Sequence, residues 1–163
     1  MIQSTYQIRK ATTADAAALA RCRRELFKEL GSSPDDANTA FETLCQDTLA
    51  RFLADGTCVG WLAERPGVEA PVGAIVILTY PRLPSPRNRR TTEAYLLNVY
   101  VVPAERHKGV ALALTQVAVD HARSAGFARL RLHASAYGRR VYERAGFRGR
   151  DDEMEMDLLA TAL

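Results

Sequence analysis

The sequence predicts an α/β fold in which helices cover both faces of a mixed sheet. Runs of β-branched and aromatic residues alternate along the chain with segments whose apolar residues recur at helical spacing. Glycine or proline separates most of these segments, as is typical of turns and helix ends. Because strands and helices are interspersed rather than grouped, both faces of the sheet are expected to carry helices.

The first third of the chain predicts one strand and two helices. Residues 6–10 alternate between polar and apolar side chains, which indicates a short strand. Thr12 and Asp15 have capping-box spacing, so we expect a helix to begin there and to end at Gly31. Apolar residues at helical spacing predict a second helix over residues 41–56.

The middle of the chain predicts three strands. Residues 57–64 and 72–80 are rich in β-branched or aromatic residues, and a Pro-Gly pair predicts the turn between them. A longer strand is expected over residues 92–102, where Pro103 ends it because proline cannot donate to a strand ladder.

The remaining elements are two helices and two strands. We expect a helix over residues 109–124, a strand over 128–134, a short helix over 137–144 and a last strand over 154–158. No internal repeat or linker interrupts this order, so residues 1–163 are expected to form one domain.

The composition excludes several classes of protein. Hydrophobic residues make up 47% and charged residues 25%, which is ordinary for a globular domain. Cys22, Cys45 and Cys58 are distant from one another and odd in number, which argues against a zinc site or a disulfide framework. The first residues, MIQSTYQIRK, have no long apolar run behind a basic start, so we do not expect a secretion signal, and no apolar run reaches the roughly 18 residues of a membrane span. A cytoplasmic protein without metal or membrane partner is therefore expected.

Charge is distributed unevenly along the chain. Arginines concentrate in the loop over residues 81–90, PRLPSPRNRR, and again over residues 139–150, whereas residues 151–157 are acidic. The arginines suggest a nucleic-acid-binding domain as an alternative, but no aromatic positions for base stacking lie among them, and the net charge is only +3. No nucleic-acid partner is expected. The 81–90 loop is compatible with a mobile flap or with a long surface connection.

Residues 98–111 have the pattern of an anion-binding strand, loop and helix. The first amides of a helix lack acceptors inside the helix, and the helix dipole adds positive potential there, so a pyrophosphate fits that end. Gly109 allows close approach of the backbone, Ala111 keeps the next position small, and Arg106 and Lys108 add positive charge. The alternative is a glycine that opens an ordinary helix, since neither GxxxxGK[ST] nor GxGxxG occurs here.

Residues 135–147, SAYGRRVYERAGF, carry a second motif. Taken alone, Tyr142 is typical of an amphipathic core tyrosine and Gly146-Phe147 of a helix C-cap. Together with Arg106-x-x-Gly-x-Ala, however, the chain resembles the GNAT superfamily of N-acetyltransferases, which combines [RQ]xxGx[GA] with a later helix ending in YexxGF. The resemblance extends over nearly all of the chain and is most specific over residues 96–147.

This resemblance implies a mostly antiparallel sheet with splayed central strands, and an acetyltransferase that uses acetyl-CoA as cosubstrate. It implies that main-chain groups of the motif strand pair with the pantetheine arm and that the loop amides, with two basic side chains, hold the pyrophosphate. The residues that it assigns to acetyl-CoA are Tyr100, Val101, Val102, Arg106, His107, Lys108, Gly109, Val110, Ala111 and Ser135. Tyr142 has the position of the usual general acid of the family.

Two residues depart from the family pattern. Ser135 stands where many members carry an asparagine that helps to bind the cofactor arm, and serine keeps one hydrogen bond with shorter reach. Gly138 replaces a common alanine, a change that we expect to be harmless to packing.

The implied reaction is direct attack of a primary amine on the acetyl thioester, through a tetrahedral intermediate. An alkyl ammonium has a pKa of roughly 10.4 and must lose a proton, while a thiolate with a pKa of roughly 8.5 departs more readily once Tyr142 protonates it. A main-chain amide such as that of Val101 suits the oxyanion. Glu93 is the candidate base; its alternative is a solvated carboxylate at the start of a strand.

Other titratable groups are weaker candidates. His133 is a candidate base because histidine side chains in general suit proton transfer near neutral pH, but it shares its strand face with Arg131, so a structural role is equally compatible. His107 lies in the phosphate loop, and His121 falls on an apolar helix stripe and is expected in the core. The acidic residues 151–155 either attract a cationic amine or form a charged surface turn.

Several alternatives stay open at this point. A non-catalytic acyl-CoA-binding module has the same anion site. The acceptor is a small-molecule or peptide amine in the broad sense, and amino acids, protein lysines and antibiotics are not distinguished. A homodimer is compatible with the resemblance.

Overall fold

The computed structural model describes residues 5–158, which form a five-stranded sheet and four α-helices. The strands are β1 (Gln7–Lys10), β2 (Cys58–Glu64), β3 (Gly73–Pro81), β4 (Thr92–Val101) and β5 (Leu130–Arg131). The helices are α1 (Ala16–Glu29), α2 (Thr39–Asp55), α3 (Val110–Ser124) and α4 (Arg139–Arg144). The capping box predicted at Thr12 and Asp15 is confirmed, and a short 3-10 turn there leads into α1.

The sheet is mixed and mostly antiparallel, as predicted. Its strand order is β1-β2-β3-β4-β5, and only the pairing of β4 with β5 is parallel. These two strands pair at Ala94↔Leu130 and Tyr95↔Arg131 alone, so they separate past Tyr95 and Arg131. We call the opening that begins there the wedge, and it confirms the splayed central strands.

Helices cover both faces of the sheet. One apolar cluster packs α3 against the sheet and includes Ala94 and Leu96 of β4. The other packs α1 and α2 against the opposite face, where Leu97 and Tyr100 of β4 contribute. Successive side chains of a strand point to opposite faces, which is why neighbours on β4 belong to different clusters. No helix within residues 5–158 is long and apolar enough to cross a membrane.

Two predicted strands differ in the structure. The strand expected over residues 128–134 is reduced to Leu130–Arg131 because its neighbour diverges at the wedge. The last strand predicted over residues 154–158 is wrong, since this segment has no regular structure. Met154 and Leu158 are 99% and 85% exposed, so the alternating pattern finds no ladder or apolar face to pair with.

The 81–90 loop is closed by its own hydrogen bonds. The Arg82 N–H donates to the Thr91 carbonyl over 2.8 Å, and Ser85 and Asn88 exchange main-chain bonds of 2.8 and 3.0 Å. The Arg82 guanidinium also donates to the carbonyls of Asn88 and Arg90, at 3.1 and 3.2 Å. These contacts favour the interpretation of the loop as a surface connection that extends the β3–β4 hairpin.

Candidate active site

A β-bulge shapes β4 beside the wedge. Leu97 pairs with Val76 and Tyr100 with Ala74, so two residues of β4, Asn98 and Val99, oppose a single residue of β3. Asn98 has φ 59°, a left-handed conformation that asparagine adopts more readily than most residues. The bulge therefore changes which main-chain groups of β4 face the wedge.

Asn98 also connects this bulge to α1. Its side chain is 3% exposed, and Nδ2 donates to the Leu19 carbonyl over 3.1 Å. A buried amide is costly unless it is hydrogen-bonded, so this contact fixes the depth at which α1 packs on β4. Asn98 was not predicted to have a structural role; the signal for it in the sequence is a single amide side chain within the otherwise apolar run of residues 94–101.

Main-chain groups of Val101 point into the wedge. The Val102 N–H donates to the Val72 carbonyl over 2.9 Å, and paired residues of an antiparallel ladder alternate between facing their partner and facing away. Tyr100 and Val102 therefore bond to β3, and Val101 between them faces away. Of the three residues expected to pair with a pantetheine arm through the main chain, the geometry supports Val101 alone.

The loop after β4 presents a row of amides at the start of α3. His107 and Gly109 both have positive φ, of 61° and 86°, a backbone shape that turns successive N–H groups toward one point. The first helical bond runs from the Ala113 N–H to the Gly109 carbonyl over 3.0 Å, and no side chain caps the helix. The main-chain N–H groups of residues 107–112 donate no hydrogen bond to any acceptor within residues 5–158. We call these six groups the amide cradle; its geometry suits an anion.

The basic side chains of the loop already have partners. Arg106 Nε donates to the Val101 carbonyl over 2.8 Å, and its Nη2 contacts both carboxylate oxygens of Glu29 on α1, at 2.6 and 2.7 Å. Lys108 Nζ donates to the Ala104 carbonyl and to Glu105 Oε2, at 2.9 and 3.1 Å. The amides, rather than these side chains, are the donors available to a ligand in this conformation.

Glu105, in the loop between β4 and α3, holds this loop in place through hydrogen bonds to three side chains. It is 5% exposed and accepts hydrogen bonds from Tyr6 Oη at 2.6 Å, from Arg65 and from Lys108. The Tyr6 bond, followed by those of Lys108 and Arg65, lowers the pKa of this carboxyl to about 2. Glu105 therefore stays ionised at physiological pH and holds the cradle in place.

Tyr142 lies on α4, on the side of the sheet that α3 covers. Its half-buried ring packs against the α3-side cluster and meets Phe147 edge-on, with 6.0 Å between ring centroids. Burial raises the pKa of the phenol above its ordinary value near 10, so Tyr142 stays protonated at neutral pH. The predicted C-cap is confirmed: the Phe147 N–H donates to the Tyr142 carbonyl over 2.9 Å, and Gly146 has φ 100°.

Gly138 makes room for the Tyr142 ring. A Cβ atom at position 138 would lie 2.9 Å from Tyr142 Cε2, closer than van der Waals contact allows. Glycine is therefore compatible with close packing here, whereas an alanine would require the Tyr142 ring to shift, because the ring occupies the space of a methyl group. Ser135 Oγ accepts a hydrogen bond of 3.2 Å from the Gly138 N–H and so supports the turn that leads into α4.

Glu93 is buried at the start of β4. It is 6% exposed, and Tyr80 Oη donates to its Oε2 over 3.0 Å. Arg131 Nε lies 3.4 Å from Oε1, and Arg82 Nε lies 3.9 Å from Oε2. Arg131 also reaches Glu153 over 2.9 Å. The interpretation of Glu93 as a solvated carboxylate is wrong, because the 81–90 loop and β5 both contribute arginines that cover it.

The candidate acid and the candidate base face opposite sides of the sheet. Ala94 and Leu96 belong to the α3-side cluster, so strand alternation turns Glu93 toward the face that α1 and α2 cover. Tyr142 packs on the α3 side. The candidate acid and the candidate base therefore approach β4 from opposite faces of the sheet.

Residues 19–147 match the model of the Acetyltransferase (GNAT) family. The chain belongs to this family. It is 28% identical over 143 residues, 86% of this chain and 80% of the relative, to the uncharacterised N-acetyltransferase YjgM of Escherichia coli K12. As a GNAT family member the chain is an acyltransferase, and acetyl-CoA is the acyl donor that the family uses.

Solved structures of GNAT proteins share the fold. A GCN5-related N-acetyltransferase of Ralstonia eutropha JMP134 superposes with a TM-score of 0.82 at 28% identity, over 93% of this chain and 98% of that chain. A predicted acetyltransferase of Clostridium acetobutylicum, solved with acetyl-CoA, has a TM-score of 0.83 at 25% identity, over 94% and 96%. The family resemblance drawn from the two motifs is confirmed.

The remaining candidates lie apart from the wedge or have other partners. His121 is half-buried, meets Trp61 edge-on at 5.1 Å, and has its pKa lowered chiefly by burial, so it is a core histidine as expected. His107 and His133 are exposed. In the acidic segment, Asp152 pairs with Arg150, whereas Glu153 joins the group around Glu93 through Arg131.

Proposed function

We propose that this GNAT protein transfers the acetyl group of acetyl-CoA to a primary amine by direct attack. The observation that carries the proposal is the amide cradle, which opens beside the wedge and offers a row of donors to a pyrophosphate. The edge of β4 past Tyr95 faces the same opening, so an extended pantetheine arm has a strand to pair with.

The cofactor contacts follow from this placement. The amides of residues 107–111 hold the pyrophosphate, and Ser135 Oγ borders the arm. The Val101 carbonyl, which has a second lone pair besides the one that accepts Arg106 Nε, pairs with the arm, so that the Val101 N–H stays available. Arg106 and Lys108 contribute to the phosphate contact when they exchange their present carboxylate partners for it. Acetyl-CoA supplies the activated acyl group and a thiol leaving group.

Each proton has a group to receive or supply it. Glu93 takes a proton from the acceptor ammonium, and the freed amine nitrogen forms a bond to the thioester carbonyl carbon. The Val101 N–H stabilises the oxyanion of the tetrahedral intermediate. The carbonyl then re-forms as the carbon–sulfur bond breaks, and Tyr142 donates its proton to the departing thiolate, which leaves as the thiol of coenzyme A. The attacking nitrogen loses its extra proton, which returns through water to the Tyr142 phenolate and leaves a neutral amide.

A matched pair of glycine variants tests the amide cradle. Gly109 and Gly56 have φ of 86° and 78°, and a Cβ would meet nothing within 4 Å at either position. Gly109→Ala and Gly56→Ala are therefore expected to strain the backbone to a similar extent, about 1–2 kcal/mol. Relaxation of this strain at position 109 distorts the amide cradle, whereas relaxation at position 56 leaves the cradle unchanged. By calorimetry, we expect Gly109→Ala to weaken acetyl-CoA binding about tenfold and Gly56→Ala to leave it unchanged. Equal affinities of the two variants, or no binding by the wild type, would contradict the proposal.

The ion pair between Arg106 and Glu29 leads to a second prediction. Because Glu29 competes with the pyrophosphate for Arg106, Glu29→Gln is expected to tighten acetyl-CoA binding about two- to fivefold, the range for an exposed ion pair. Glu25→Gln removes the same charge one turn earlier on α1, where the partners are Lys28 and Arg24, and controls for long-range electrostatics. Equal tightening in both variants would mean that Arg106 does not bind the phosphates.

The presence of both a candidate base, Glu93, and a candidate acid, Tyr142, on opposite faces of the sheet favours a catalytic protein over a non-catalytic acyl-CoA-binding module. Thiol release from acetyl-CoA with a panel of polyamines, amino acids and peptides with free N-termini distinguishes the two and identifies the acceptor class. We also propose that residues 1–163 form one cytoplasmic domain that has no nucleic-acid or membrane partner. A homodimer is compatible with this proposal.

A further inference from the structure

Tyr80 is the cross-strand neighbour of Glu93. The two residues are directly paired in the β3–β4 ladder, and they lie on the sheet face that α1 and α2 cover. Tyr80 Oη donates to Glu93 Oε2 over 3.0 Å, the only hydrogen bond that reaches this carboxylate within residues 5–158. The ladder itself thus sets the distance between hydroxyl and carboxylate.

The two oxygens of Glu93 have different surroundings. Oε2 accepts the Tyr80 hydroxyl, with Arg82 at 3.9 Å, while Oε1 is buried and makes no hydrogen bond within the described residues. Arg131 lies 3.4 Å from Oε1 without hydrogen-bond geometry and is shared with Glu153. A buried carboxylate oxygen with an unused lone pair is costly in a purely structural network and suits a group that receives a proton.

We propose that Tyr80 is a positioning residue that engages Oε2 of Glu93 and so leaves Oε1, which makes no hydrogen bond within the described residues, as the oxygen that takes up the proton of the acceptor amine through water. This inference rests on the proposed function, in which Glu93 is the base. The charged and titratable groups that face Glu93 are Tyr80 from β3, Arg82 from the 81–90 loop, Arg131 from β5 and, through Arg131, Glu153 from the C-terminal segment. Arg82 is committed to two loop carbonyls and Arg131 to Glu153, which leaves Tyr80 as the group dedicated to the carboxylate.

The test compares Tyr80→Phe with Tyr95→Phe. Tyr95 is a half-buried tyrosine two residues after Glu93 on the same strand, and its hydroxyl makes no hydrogen bond within the described residues. With the best amine of the panel, we expect Tyr80→Phe to lower kcat about tenfold and Tyr95→Phe to change it less than twofold, with acetyl-CoA affinity unaltered in both. The acidic limb of the Tyr80→Phe pH–rate profile is expected to move to higher pH, because the lost hydrogen bond favoured the ionised carboxylate.

A double-variant cycle separates positioning from an independent role. If Tyr80 acts through Glu93, Tyr80→Phe has no further effect in the Glu93→Gln background. An undiminished effect there, or a Tyr80→Phe profile that superimposes on the wild type, overturns the inference while the proposed function stands. Wild-type kcat in Glu93→Gln alone removes both the base assignment and this inference.

A measurement without acceptor completes the test. The side-chain carboxyl ¹³C resonance of Glu93, assigned by its absence in Glu93→Gln, reports the hydrogen bond to Oε2 in the free protein. At neutral pH, we expect this resonance to shift in Tyr80→Phe and to stay in place in Tyr95→Phe. An unmoved resonance in Tyr80→Phe overturns the inference.

Discussion

Replacing Tyr142 with phenylalanine is expected to lower kcat at least 100-fold and to leave the Kd for acetyl-CoA within twofold of the wild type. Positioned acids and bases typically contribute about 10²- to 10⁴-fold. Because burial raises the pKa of Tyr142, its proton remains available throughout the neutral range, and the thiolate is its natural acceptor. Phenylalanine keeps the edge-on contact with Phe147, so the variant removes the proton without removing the packing.

Steady-state kinetics with an accepted amine and a calorimetric titration with acetyl-CoA measure the two quantities separately. Tyr137→Phe is the matched control, since Tyr137 is 95% exposed and lies in the turn just before α4. If Tyr142→Phe retained the wild-type kcat, Tyr142 would be a core residue alone. A parallel loss of kcat and acetyl-CoA affinity would indicate a binding role instead.

Replacing Glu93 with glutamine is expected to lower kcat by about 10²- to 10³-fold near pH 7, where the acceptor is an ammonium. Glutamine has nearly the same shape and can still accept the Tyr80 hydroxyl, but it cannot take a proton from the amine. The deficit is expected to shrink as the pH approaches about 10.4, because the free amine then needs no base. A pH–rate profile of both proteins measures this convergence.

The control for Glu93 is Glu153→Gln, which removes a carboxylate from the same Arg131 but from an exposed position. We expect its kcat to stay within twofold of the wild type. A constant deficit of Glu93→Gln at all pH values would assign Glu93 to structure, since loss of one partner in a buried charged network destabilises the fold independently of the acceptor. Thermal unfolding of both variants shows whether such destabilisation occurs.

The parts of the site that sequence patterns predicted are those built from short-range contacts. The amide cradle depends on Gly109 and on a helix start a single residue later, and the Tyr142 segment ends in contacts between residues five apart or closer. Such geometry is set by local backbone preferences, and a motif therefore encodes it completely. Asn98, by contrast, reaches Leu19 across 79 positions, which no local pattern indicates.

The partners of the charged side chains, by contrast, could not be predicted from local sequence patterns. Glu93, Arg106 and Lys108 were predicted as site residues from the sequence, but the sequence did not indicate that Glu93 would be buried between Tyr80 and Arg131. Nor did it indicate that Arg106 pairs with Glu29, 77 positions away. Long, flexible side chains form ion pairs with whichever charged groups lie near them in the folded protein. Which groups lie near them depends on how α1, β3 and β5 pack around β4.

Local sequence patterns were enough to predict the α/β class, the anion-binding start of α3 and Tyr142 as the candidate acid on α4, because each follows from backbone preferences or apolar periodicity within a short segment. The packing of the whole fold was needed to show that residues 154–158 form no strand, that Gly138 leaves room for the Tyr142 ring and that Val101, unlike Tyr100 and Val102, faces the wedge. Each of these features depends on which part of the protein packs against the residue in question. Strand pairing across the sheet decides this, and the local sequence does not.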